Sequence, residues 1–174
     1  MTAASESQVP DSVIGCLEAC RRCKAVVAAV IEREPRAFSA VGPHLRHCVE
    51  HFKLLLDGWR SGFVDYDARA RDPRLERDPW AVLAALEDIT GSLSTIQREN
   101  LHDELVVSQS AAPGRPPASS GTRLERELLF LSGHAIHHIA IMVLAASAAG
   151  VAIPSELAVA YSTAGHRESL AVNG

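Results

Sequence analysis

The stretch Gly133-His134-Ala135-Ile136-His137-His138-Ile139-Ala140-Ile141-Met142 places three of the chain's eight histidines inside its most apolar segment. An apolar run of this length reads as a helix, and residues four apart on a helix lie one turn above each other on one face. With His134 at zero on the helical wheel, His138 lies about 40° round and His137 about 60° the other way, while Glu127 sits about 20° away, two turns earlier. His134 and His138 can therefore point at one ion. Two ligands do not complete a site. The obvious further donor is the other histidine-rich segment, His44-Leu45-Arg46-His47-Cys48-Val49-Glu50-His51-Phe52. These two segments set what the rest of the chain must do, which is to bring them together.

Residues 135–153 approach the length of a membrane span. The turns before them carry Arg123, Glu125, Arg126 and Glu127, and the run itself holds His137 and His138. A helix buried among others or at a dimer interface explains that pattern better than a membrane does. Residues 1–10 are small and polar, read as a disordered N-terminus, and carry no basic flank followed by an apolar run; neither a signal nor an anchor is expected, so the cytoplasm is the expected compartment. At 47% hydrophobic and only 5% aromatic residues, the composition favours helices, and residues 11–174 suffice for a single domain. A net charge of -4 gives no reason to expect nucleic acid.

In chain order, Asp11 or Ser12 caps a first helix that ends before Pro35, with Val13, Cys16, Cys20, Cys23, Val27 and Val30 on its apolar side. A second helix is expected from about Val41 to Arg60, with Pro43 in its first turn. Residues 63–78 are charged with both signs and read as a long ordered crossover. Asp78-Pro79 is a strong start for a third helix, a cap followed by proline. Residues 101–107 read as a short extended piece and 108–121 as a flexible loop. Thr122, with Glu125 three residues later, is expected to cap a fourth helix that runs to about Ala149. The tail from Pro154 reads as irregular with one short turn. The expected fold is all-α, a four-helix bundle with long crossover loops.

Spacing alone does not choose among His44, His47 and His51, and His47/His51 is itself a four-residue pair, so a second ion is conceivable. Glu50 could orient or supplement a ligand. Each histidine also has a plainer reading, a half-buried ring satisfied by a carbonyl or carboxylate. Cys16, Cys20 and Cys23 share a face, but buried thiols acting as small hydrophobes are the better reading than a soft-metal cluster. No disulfide is expected of a helical, non-secreted chain.

The segments 42–52, 65–72 (Asp65-Tyr66-Asp67-Ala68-Arg69-Ala70-Arg71-Asp72) and 126–140 together resemble the DinB-like superfamily, in particular a bacterial branch with GxHxRH and REL-FL-x-x-H-x-x-H-H segments. The resemblance spans nearly the whole chain. It implies a four-helix bundle of DinB-like type binding a divalent transition metal (Zn, Ni, Fe or Mn) through His47, His134 and His138. His47 is selected because the family's ligand is followed three residues later by an acid, here Glu50. His44, His51 and His137 remain as candidates beside the ion or facing a substrate. The same resemblance implies a transferase that activates a low-molecular-weight thiol toward a small-molecule substrate, in a homodimer. Tyr66, Arg69 and Arg71 could then grip a carboxylate or a sugar-thiol, and Glu127 could hold a ligand ring. A metal-binding stress-response protein without turnover and a non-haem iron oxygenase are the competing expectations.

Overall fold

The computed structural model describes residues 9–172, so residues 1–8 of the expected disordered start lie outside the described residues. Pro10 is buried, and its carbonyl accepts the first bond of α1 from the Ile14 N–H at 2.9 Å. Among the described residues six α-helices and three strands follow: α1 (Asp11–Arg33), α2 (Phe38–Trp59), β1 (Phe63–Asp65), α3 (Arg74–Arg77), α4 (Pro79–Leu93), β2 (Glu104–Gln109), β3 (Ala118–Arg123), α5 (Leu124–Ala148) and α6 (Tyr161–Val172).

Helix starts and stops follow local chemistry. The Asp78 carboxylate accepts from the Trp80 N–H at 2.9 Å and Pro79 takes the first helical position, so α4 begins where expected. α5 ends before Gly150, whose φ of 83° a side chain would resist. α2 starts earlier than expected. Pro35–Ala37 form a 3-10 turn that feeds directly into Phe38, and Pro43 falls inside the helix rather than in its first turn. Next to it, Gly42 meets the backbone of α3: a Cβ there would stand 2.2 Å from the Glu76 carbonyl oxygen. Only glycine lets the two backbones approach this closely.

The four long helices share one apolar core. α5 packs on α1 and α2, and α4 packs on both of those. Val27, Leu45, Phe52, Leu86, Leu128 and Ile139 are buried in it. Burying an aliphatic side chain of this size contributes about 1.5–3 kcal/mol, which is what overrides the weak helix preference of the valine-rich α1. Among the described residues, α5 is the helix long and apolar enough to cross a membrane; it passes that test while carrying Leu124, Leu128, Leu131, Ile139 and Met142 into the core.

The chain is predominantly helical, but not wholly so. β1, β2 and β3 form a small sheet in that order, β1 parallel to β2 (Val64 beside Val107) and β2 antiparallel to β3 (Val106 beside Gly121). The crossover 63–78 therefore contains β1 and α3, and the segment expected as a flexible loop contains one arm of a hairpin. Thr122 is not a cap. It lies in β3, no side chain caps α5, and the Leu124 N–H is satisfied by the Asp103 carbonyl at 3.0 Å. The tail is more ordered than expected: Arg22 donates to the carbonyls of Leu157 and Val159, and the Tyr161 hydroxyl to that of Gly15 at 2.7 Å, which docks α6 on α1.

Candidate metal centre

On α2 the buried residues Leu45, Cys48, Phe52 and Leu55 fix the rotation of the helix, and His44, His47 and His51 lie along one border of that face. On α5, Leu131, Ala135 and Ile139 do the same for His134 and His138. The helices run antiparallel, so early residues of one set meet late residues of the other. The His47 Nε2 lies 2.8 Å from the His134 Nε2, and the His44 Nδ1 lies 3.0 Å from the His138 Nδ1.

His51 closes the group. Its Nδ1 is 2.9 Å from the His47 carbonyl and so donates to it, which leaves Nε2 with a free lone pair. Ligand atoms of His47, His51 and His134 all lie within 4.8 Å of one another, so these three side chains could hold a metal ion. Of the expected ligands, His47 and His134 come together as anticipated, while His138 stands beside that group rather than in it. Its ring centroid is 4.3 Å from that of His47, but its Nδ1 is turned to His44. His137 is exposed, with its ring 5.6 Å from His138.

The donor chemistry fits a divalent transition metal. Imidazole coordinates only through an unprotonated nitrogen. Burial, reinforced by the neighbouring imidazoles and by Arg69, holds His47 down to about 3, and burial with the nearby histidines holds His134 and His138 down to about 4. Burial also lowers His44 and His51. The cluster is therefore neutral at physiological pH, and two nitrogens facing each other at 2.8 Å supply converging lone pairs when both rings carry their proton on Nδ1.

Aromatic rings wall the cluster. Tyr66 stacks on His51 at 5.5 Å, and Phe130, one helical turn before His134, stacks on His134 at 5.4 Å. Phe130 is a wall residue that the sequence reading missed, although its four-residue spacing from His134 carried the signal. Glu127 does not hold a histidine. Its two oxygens accept from the Tyr66 hydroxyl at 2.8 Å and the Thr122 hydroxyl at 2.9 Å, so it acts on the site by fixing the Tyr66 ring. A cleft of about 260 Å³ borders the same residues, lined by Tyr66, Gln109, Thr122, Arg126, Glu127 and Phe130.

Residues 66–72 form a strap over the cluster. Its start is pinned to the sheet, where the Tyr66 N–H donates to the Ser108 carbonyl and Ser110 donates twice to Asp67. At its far end the Asp72 N–H donates to a Glu50 oxygen at 2.8 Å. Glu50 therefore staples the strap rather than ligating, and its other oxygen is buried without a partner among the described residues. Between these anchors the Arg69 guanidinium reaches the His47 Nδ1 at 2.7 Å. Arg71 is exposed, adopts φ 51° and donates to the Arg69 carbonyl, away from the histidines.

The four cysteines are free and buried. Cys16 donates to the Leu128 carbonyl; burial pushes the thiols of Cys16 and Cys20 well up, and hydrogen bonding with Cys48, then burial, does the same for Cys23. Comparison of the chain with family models, with curated proteins and with solved structures yields no match in any of the three.

Proposed function

We propose that the protein is a metal-dependent enzyme of the DinB-like superfamily, its four long helices the bundle of that type, and that it transfers a group to or from a low-molecular-weight thiol. The observation that supports this most directly is the convergence of His47, His51 and His134, with His44 and His138 adjoining, on one half-exposed patch between α2 and α5. His47, His134 and either His51 or His138 would hold the ion. A divalent ion on three neutral imidazoles keeps positions open and lowers the pKa of a thiol or water at neutral pH.

The chain's own residues supply the rest. Tyr66 and Phe130 exclude water from one side of the rings, Glu127 fixes Tyr66, and the cleft they border has room for a small electrophile. Exposed Leu129 and Leu144 on α5 support a homodimer, and the cytoplasm remains the proposed compartment.

Metal analysis by mass spectrometry on tag-free protein tests the reading. About one transition metal per chain, followed by thiol-dependent turnover of an electrophile panel with bacillithiol, mycothiol or glutathione, is expected. Metal without any turnover would favour a binding or stress-response role, and ferrous, oxygen-dependent turnover would favour an oxygenase. A wild-type protein that takes up no metal on reconstitution would overturn the proposal.

A further inference from the structure

Among the described residues, Arg69 is the one cation that hydrogen-bonds to the histidine cluster, and it does so in a way that conflicts with metal binding. A guanidinium has donors only. At 2.7 Å from the His47 Nδ1 it therefore requires that nitrogen to be an unprotonated acceptor. A neutral His47 then carries its proton on Nε2, and that proton lies in the 2.8 Å contact with the His134 Nε2. Coordination through Nε2 needs the lone pair there, so the proton must move to Nδ1. Nδ1–H would then face the Arg69 N–H, donor against donor. Coordination through Nδ1 would displace the guanidinium outright. Short of losing both ring protons, His47 cannot hold Arg69 and an ion together.

Two further observations bear on where Arg69 goes. Among the described residues no carboxylate lies within ion-pairing distance of it, although Arg21, Arg22, Arg46, Arg74 and Arg126 all have one; Asp67, two residues away, feels its charge but gives its carboxylate to Ser110. Residues 68–71 have no other hydrogen bond to α2 or α5 among the described residues, so the middle of the strap is fastened to the cluster by this contact alone. A half-buried guanidinium released beside a bound cation would be repelled by it unless an anion stood between them.

We propose that Arg69 and the metal are alternative partners of His47, and that the arginine freed by metal loading holds an anionic group of the substrate, a carboxylate or its equivalent, over the cluster. This rests on the metal-site reading above and gives that site a substrate class. Arg71, on the same strap and of the same charge but turned away, has neither role.

The test uses the full chain without a tag. Zinc affinity is measured by competition with a chromophoric chelator for wild type, Arg69→Met and Arg71→Met. Acetate is then titrated into the cobalt-loaded proteins while the visible d–d absorption is followed. Arg69→Met is expected to bind zinc about tenfold or more tighter than wild type and acetate about tenfold or more weaker, with Arg71→Met within about twofold of wild type in both. Zinc affinity unchanged in Arg69→Met, or equally raised in Arg71→Met, would overturn the exclusion at His47. Acetate bound equally well by Arg69→Met would overturn the anion role. Wild type that competes for no zinc would instead remove the metal-site reading itself.

Discussion

The helical core holds two groups of metal-capable side chains, and burial acts on them in opposite senses. Cys16, Cys20, Cys23 and Cys48 are at most 2% exposed; five histidines on α2 and α5 are half-buried or nearly buried. Loss of water favours the uncharged form of either group. For a thiol the uncharged form is the one that does not ligate, so burial that pushes Cys20 up to about 12 turns it into a small hydrophobe. For imidazole the uncharged form is the ligand, so burial that lowers His47 and His134 prepares them for an ion. Residue type alone made both groups candidates. The sign of the solvation effect separates them.

The largest expected effect is on metal content. His47→Ala and His134→Ala should weaken metal binding by about 100-fold or more, since loss of an outer partner alone costs about 10–100-fold. Cys20→Ala and Cys23→Ala should keep wild-type stoichiometry by mass spectrometry. Loss of metal in the cysteine variants would break the distinction. Next is thiol chemistry. A disulfide reagent such as DTNB should label none of the four sulfurs in native protein up to about pH 9 and all four in denaturant. Fast native labelling of Cys20 would show that it is less buried than the structure has it.

A smaller effect sharpens the histidine side. Tyr66→Phe removes one of two hydroxyl donors from the buried Glu127 and should cost about 1–3 kcal/mol in urea unfolding. It should leave metal stoichiometry intact, because the ring that stacks on His51 remains. The smallest effect belongs to neither group and must be subtracted from any acid titration of them. Hydrogen bonding from Arg21, with Arg22, lowers Glu18 from 4.5 to about 2. Its stabilisation is complete above about pH 4.5 and is lost as pH falls toward 2. Glu18→Gln should flatten that part of the stability profile, at a cost of a few tenths of a kcal/mol (about 0.3–0.5) at neutral pH for these partly exposed helical pairs.

Much of the scaffold was legible because helices announce themselves by period and by end signals, as at Asp78-Pro79 and Gly150. β3 was not, because Ala-Ser-Ser-Gly-Thr-Arg has no alternation of apolar and polar residues and is held by pairing with β2 rather than by burial. The capping signal of Thr122 and Glu125 was outweighed by strand pairing, which places the Thr122 hydroxyl on Glu127 instead of on a helix end. At the site, a wheel drawn on one helix places His134 and His138 together but says nothing about which of His44, His47 and His51 they meet. That choice depends on the relative height of α2 and α5. The contact of Arg69 with His47 depends on how the strap is pinned, and no local pattern encodes it.

The sheet has a metric consequence for that height. β1 leaves the end of α2, β3 leads into the start of α5, and β2 bonds to both, so one end of each helix is fixed to the same clip. At 1.5 Å per residue, His47 and His44 stand about 18 and 22 Å back from the end of α2, and His134 and His138 about 15 and 21 Å into α5. The clip works as the zero mark of a ruler laid along two antiparallel helices, and the histidines that pair are those at matching heights. One residue inserted between Leu124 and His134 would turn the α5 histidines by about 100° and lift them by about 1.5 Å against the α2 scale. Substitutions would leave that scale unchanged, which makes length rather than composition the quantity that α5 must preserve.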